Sequence, residues 1–298
     1  MEVVYAKKCG KHEQEAIEDA VHAYDEAMQD ATIKYPEKPK DTLPKETPLP
    51  PLLSEYVKAI DFYLTNFSQD AKYGPEIRYK SAKFYYDFNH LEESLKRFSI
   101  IIDKYPTHAN AEVSVELTAD IYNAYKDWVR MEEWASKMIK RKALIQNRPN
   151  LKKNLESYLE HAAFALATQK YKDGKEHSAN KLQYVKKYPK TKLGDRALYN
   201  AANLLDKEGN PKEGVKVRQQ LIDTYPDSEF AKDSYRFFID DLERKGKYTQ
   251  AAKYLEQYVA KYPQESFAQE ALLVAAMYRD VLGQTDVAMK HQTDLISK

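Results

Sequence analysis

Small and apolar residues recur along this chain at three- and four-residue steps, set between polar faces and punctuated by proline. Between residues 225 and 263, Ala231, Ser234, Tyr235, Phe238 and Leu242 fall on one face of a helix. Asp227-Ser228 offers a side-chain oxygen to its first turn, and Gly246 supplies a stop. A second helix places Ala251, Leu255 and Tyr258 on one side and ends at Tyr262-Pro263. The residue before a proline is pushed out of helical geometry, so Tyr-Pro is a physical terminator. The pattern predicts a helix hairpin of about 37 residues.

The punctuation repeats. Tyr-Pro occurs at Tyr35-Pro36, Tyr105-Pro106, Tyr188-Pro189, Tyr225-Pro226 and Tyr262-Pro263, with Arg148-Pro149 in an equivalent slot. From Pro106 the spacings are 43, 40, 37 and 37 residues, and Asn66-Phe67-Ser68 reads as the same mark without its proline. A fixed period of this length is the signature of stacked repeats. Residues 1–36 predict an amphipathic helix, with a stripe of Ile17, Ala20, Val21, Tyr24, Met28 and Ala31, ending at Tyr35-Pro36. Residues 37–51 carry Pro39, Pro44, Pro48, Pro50 and Pro51 and read as an extended linker or exposed loop. A ligand for a proline-binding module is the alternative for that stretch. Residues 52–298 form the repeat array, with units ending near 68, 106, 149, 189, 226, 263 and the C-terminus. Its first helix begins near Leu52 and carries Tyr56, Ile60, Tyr63, Leu64 and Phe67.

At twelve, eight and five positions before the closing proline stand Ala251, Leu255 and Tyr258 in one unit and Ser94, Phe98 and Ile101 in another. This small–bulky–apolar order resembles the tetratricopeptide repeat. Gly214, Arg218 and Leu221 follow it in part; His177, Lys181 and Tyr184 follow it poorly, and the unit ending at Pro149 departs further and carries an insertion. The long period and the Tyr-Pro-x-Ser-x-x-x-Ala start resemble repeats of bacterial cell-envelope proteins of the BamD outer-membrane-assembly type. The resemblance covers roughly residues 52 to 298. It implies an all-α, tetratricopeptide-like α-α superhelix of stacked antiparallel hairpins that acts as a non-catalytic scaffold in an envelope complex: assembly, cell-wall or motility machinery. The implied partners are envelope-complex subunits or extended peptides.

Composition adds limits to this picture. Only eight of 298 residues are Gly, which argues against a Gly-rich nucleotide loop. One cysteine, Cys9, forms no internal disulfide, and the residues before it do not suit lipidation. The N-terminus has no apolar core of signal-peptide length, so an envelope location requires an export signal removed from this sequence, and a cytoplasmic one follows otherwise. No stretch is apolar enough to span a bilayer.

No His-Glu-x-x-His or Cys-x-x-Cys is present, and no cofactor, metal or catalytic residue is expected. The seven histidines are scattered, with His90 in a within-hairpin turn and His108 in an inter-repeat turn, both read as solvated. Acid pairs such as Glu92-Glu93, Glu132-Glu133 and Asp240-Asp241 point about 100° apart on a helix and do not converge.

Charge is unevenly spread. Residues 1–136 carry a net −8, residues 137–192 a net +11, and residues 193–298 a net −2. The basic segment is densest at Lys137, Lys140, Arg141, Lys142, Arg148, Lys152 and Lys153. An adaptor for an anionic surface, whether lipid, nucleic acid or acidic protein, is the alternative function, and self-association of basic with acidic regions is a further option. Nucleic acid is the weaker of these, since no recognised binding fold accompanies the run. Stacked hairpins line a concave groove with their first helices. Projecting the tetratricopeptide register places Glu112, Glu116 and Asp120 there, then Lys192, Asp195, Tyr199 and Asn203, then Glu229, Lys232 and Arg236. These are the candidate partner-binding positions, unless the groove is solvated or filled by the chain's own proline-rich segment or N-terminal helix.

Overall fold

The computed structural model describes residues 13–37, 42–67, 72–169, 176–189 and 191–296. Cys9 and His12 lie outside them. The described residues form fifteen α-helices and no strand. Two compact units divide the chain, Met1–Ala163 and Phe164–Lys298.

The first unit opens with α1 (Glu13–Asp30) against α2 (Pro51–Asn66). Ile17 and Val21 of α1 are buried with Tyr56, Ile60 and Tyr63 of α2 and with Ile77 of α3 (Gly74–Asp87), and Tyr24 stacks on Tyr56 at 5.4 Å. The helix stops at Asp30, five residues before the predicted terminator at Tyr35. The β-branched pair Thr32-Ile33 disfavours continuing it, and Tyr35 instead sets its ring 5.7 Å from Phe88. Two hairpins follow: α3 with α4 (Leu91–Lys104), and α5 (Ala109–Tyr125) with α6 (Trp128–Met138). The insertion expected before Pro149 contains a single extra turn, α7 (Lys142–Ile145), ahead of α8 (Pro149–Thr168). Phe98, Ile101, Val115, Ile121, Leu144, Leu151 and Leu155 are fully buried in one core.

The second unit holds α9 (Ser178–Lys187), then three hairpins: α10 (Gly194–Lys207) with α11 (Pro211–Thr224), α12 (Glu229–Arg244) with α13 (Tyr248–Lys261), and α14 (Ser266–Val281) with α15 (Thr285–Ile296). Ala231, Ser234, Tyr235 and Phe238 are buried as the periodicity predicts, and Ala251, Leu255 and Tyr258 face them.

Two backbone devices alternate along both units. Inside each hairpin the chain reverses through a left-handed residue: Asn89 (φ 65°), Lys126 (φ 53°), Gly209 (φ 81°), Gly246 (φ 66°) and Gly283 (φ 74°). The next residue's N–H then reaches back five positions, as in His90 to Tyr85 and Lys247 to Leu242, both 2.8 Å. Between hairpins the chain turns at Tyr-Pro. The tyrosine carbonyl accepts from the N–H three residues on, as in Tyr105 to His108 and Tyr225 to Ser228, with proline in its favoured second position. Ser228 caps α12 by accepting from the Phe230 N–H, as expected, and His108 caps α5 by accepting from Asn110. His108 is therefore a structural cap and not a solvated turn residue.

The tyrosines of these corners also join successive repeats. Tyr262 donates its hydroxyl to the Pro226 carbonyl at 2.5 Å, and Tyr225 reaches the Pro189 carbonyl at 3.5 Å. Arg148, in the slot where tyrosine is missing, donates to the Pro106 carbonyl at 2.8 Å and to those of Thr107 and His108. The Tyr225 hydroxyl passes over Gly194 so closely that a β-carbon there would stand 1.9 Å from it; Tyr105 passes over Gly74 in the same way at 2.9 Å.

Two units that follow the repeat pattern incompletely put a cation in the bulky slot. Arg218 is 2% exposed, stacks 3.7 Å from the Phe237 ring centroid and donates to Asn203 and Asp206, both at 2.7 Å. Lys181 is fully buried and pairs with Glu176 at 2.7 Å and the Ala167 carbonyl at 3.2 Å.

Gly194→Ala is expected to lower stability by about 1–3 kcal/mol through overpacking against Tyr225. Tyr262→Phe, which deletes one hydroxyl, is expected to cost only about 0.5–1.5 kcal/mol. Urea unfolding of both variants checks the order; an unchanged midpoint for Gly194→Ala would show that the tyrosine is not held there.

Candidate functional site

The proline-rich stretch is no free linker. Where described, it runs as an extended strap against the turn between α3 and α4. The Thr47 N–H donates to the Phe88 carbonyl at 3.0 Å, and the Asn89 side-chain amide donates to the Lys45 carbonyl at 3.1 Å. The His90 ring contacts the Thr47 carbonyl at 2.8 Å through Nε2. A carbonyl only accepts, so Nε2 carries the proton. His90 stands with Nδ1 3.5 Å from Glu46 and its ring edge toward Tyr85. It is thus half-buried and bonded, against the solvated role expected of it.

Beside the strap lies an open groove of about 610 Å³. Thr42, Leu43 and Pro44 form one wall, Tyr86, Asn89 and Leu91 the floor at the turn, and the end of α5 from Asp120 to Lys126, with Trp128, the other wall. Burial, then Asp120 and Asp87, push the Tyr86 hydroxyl up to about 12. Burial, Glu92 and Glu46 push Tyr125 up as well. Both tyrosines stay neutral hydrogen-bonding groups in a locally acidic setting. Asp127 caps α6, accepting from the Arg130 N–H at 3.0 Å and pairing with its guanidinium at 2.6 Å, and so fixes Trp128 at the rim. These two contacts hold the Asp127 carboxyl below the usual range.

Most of the positions projected onto a concave face are engaged within the protein. Glu112 lies 3.4 Å from Arg148, and Glu116 accepts from Asn154 at 3.3 Å. Asp195 accepts from Ser228 at 2.6 Å, Tyr199 stacks on Phe230 at 4.9 Å, and Asn203 accepts from Arg218. Lys232 bridges Glu229 and Glu265, which holds its ammonium well above the usual range, and Arg236 lies over the Phe267 ring at 5.1 Å. Glu229 and Lys192 are exposed. Of the ten, the groove takes in Asp120 alone. The rest largely tie one hairpin to the next.

The basic run is similarly divided. Arg148 is withdrawn into its corner, Arg141 pairs with Asp103, and Lys152 lies 3.9 Å from Glu156. Lys137, Lys140, Lys142 and Lys153 are exposed. Among the described residues no group of three His, Cys, Asp or Glu is placed to hold a metal ion, and no helix is long and apolar enough to cross a membrane. Sequence reasoning missed the strap's docking and Asn89; the one available signal was an asparagine with a side chain at a turn position that takes glycine elsewhere.

A tetratricopeptide-repeat family model matches residues 196–228 and 241–265, which carry α11, α13 and parts of α10 and α12. With its stacked hairpins the chain is of the all-α, tetratricopeptide-like α-α superhelix class. Repeats of this kind generally mediate protein–protein interactions. A search of curated protein sequences returned no match. One solved structure that matches is IFIT1 as a monomeric mutant with Gppp-AAAA, at 16% identity over 82% of this chain and 50% of that one, with a TM-score of 0.21. The chain spans about half of that chain's length, and a likeness at this level bears on neither its architecture nor its function.

Asp127→Ala is expected to lower stability at neutral pH by about 1 kcal/mol, as for loss of a helix cap. The carboxyl's lowered value means that its contribution is complete above the ordinary carboxylate pKa and is lost as pH falls through the folded one. The gap between wild type and variant is therefore expected to close below about pH 4. Thermal melts from pH 7 to pH 2.5 check this; a gap independent of pH would rule out the ionised cap.

Proposed function

We propose that the protein is a non-catalytic scaffold that binds other proteins, with the groove beside the strap as its contact surface. The observation that carries this reading is a preformed groove of about 610 Å³ with an aromatic lining and a polar rim of Asp120, Asn123 and Lys126, all exposed. Its lining is polar and apolar in nearly equal measure, as the contact surfaces of non-obligate protein complexes are. The setting we propose is a bacterial cell-envelope complex, in assembly, cell-wall or motility machinery. The long period and the Tyr-Pro corners, which resemble envelope repeats of the BamD type, support that setting. Partners are then envelope subunits or extended segments of them.

Affinity capture from fractionated source cells tests both levels. Wild type is expected to retain specific proteins from the envelope fraction, and an Asp120→Arg/Asn123→Arg variant with an unchanged melt is expected to lose them. Capture undiminished by the variant would move the contact surface elsewhere. Partners found only in the cytosolic fraction would end the envelope reading.

A further inference from the structure

We propose that the groove receives an extended segment of a partner protein that carries a lysine or arginine, read through its main chain at Asn89 and through its charge near Asp120. This rests on the scaffold reading above and names its partner chemistry.

Asn89 is 3% exposed, and its Oδ1 has no hydrogen-bond partner. The amide's orientation is set by the Lys45 carbonyl, which accepts from Nδ2 and leaves the acceptor end facing no donor. A buried acceptor without a partner is unfavourable, so its presence in a groove wall calls for a donor from outside. Backbone geometry does not require the amide. The left-handed turn position that Asn89 fills is glycine at 209, 246 and 283, and glycine adopts that conformation without strain. The side chain is thus an addition to the turn, with one end engaged and the other buried without a partner.

The missing donor is best matched by a main-chain N–H. The same turn already holds an extended chain, the strap, almost wholly by main-chain groups: Thr47 N–H to Phe88, and the carbonyls of Lys45 and Thr47 to Asn89 and His90. A second extended segment along the strap's other side would complete Asn89. The charge of that segment follows from its surroundings. Asp120 lies on the rim and acts on Tyr86, while Glu46 and Glu92 act on Tyr125. Of the cations nearby, Arg130 is engaged by Asp127 and Glu92, and Lys126 is exposed on the same rim as Asp120. A lysine or arginine side chain entering beside Asp120 meets a carboxylate. The groove opens at the turn end of the hairpins and takes in, of the positions projected onto a concave face, only Asp120.

The probes are three nonapeptides of Ser, Thr and Val with a central Arg, Gln or Glu, carrying fluorescein on the N-terminus and amidated at the C-terminus, titrated by anisotropy. The Arg peptide is expected to bind roughly tenfold more tightly than the Glu peptide, as for one charge-assisted contact. Asn89→Gly is expected to weaken the Arg peptide about fivefold or more, and Asn89→Asp to preserve it. Both variants lose the contact to Lys45, and with the uncharged Gln peptide, which the new carboxylate's charge does not attract, the difference between them isolates the acceptor. Asp120→Asn is expected to erase the preference for Arg over Gln. The proposal is overturned if Glu or Gln peptides bind as well as Arg, if none binds at millimolar concentration, or if Asn89→Gly matches Asn89→Asp. Self-association lost in Asn89→Gly would assign the groove to a second copy and equally overturn it. Should affinity capture still depend on Asp120 and Asn123 while the peptides show no charge preference, the scaffold reading stands and only this inference falls.

Discussion

The Tyr-Pro corner, which stops one helix and sends its tyrosine ring back to the preceding repeat, is the constraint on which the hairpin stacking turns. The Tyr-Pro pair performs three tasks with two residues. Proline prevents the second helix from continuing, the tyrosine carbonyl closes the corner, and the tyrosine side chain returns to the corner before it. Each task constrains a different degree of freedom: where a helix ends, in which direction the chain leaves, and how far one hairpin stands from its neighbour. Gly194 and Gly74 follow from the third, because the ring needs an unobstructed path over the start of the first helix.

Departures from the rule are informative because the chain compensates for them. Arg148 lacks a ring, yet its guanidinium holds three carbonyls of the preceding corner, so a residue that looked like part of a surface charge run is a structural tie. Arg218 and Lys181 occupy a slot meant for a bulky apolar side chain and are tolerated because each has a carboxylate partner, joined for Lys181 by a main-chain carbonyl. Lys232 and Asp195, read as surface groups from register alone, join one hairpin to the next through Glu265 and Ser228.

Much of the fold was legible because helix faces and proline stops are local. The face of α12, the cap at Ser228 and the stop at Gly246 each depend on residues within a few positions of one another. The end of α1 was missed because Tyr35 answers to Phe88, a partner 53 positions away. The strap was missed for the same reason: proline says where a helix cannot form and nothing about which turn will receive the extended chain. The candidate site was legible only at Asp120. Asn89 has no pattern of its own, and its meaning depends on a buried oxygen left without a donor.

The corner also makes the repeat a ruler. Each added residue in a helix rotates everything after it by about 100° and advances it by about 1.5 Å. Tyr262 reaches Pro226 only because the intervening hairpin brings the ring to that carbonyl at 2.5 Å. A single inserted residue in α12 or α13 would turn the tyrosine away, whereas a whole extra hairpin would present a new tyrosine to the same carbonyl. The array can therefore lengthen in steps of one repeat far more readily than in steps of one residue.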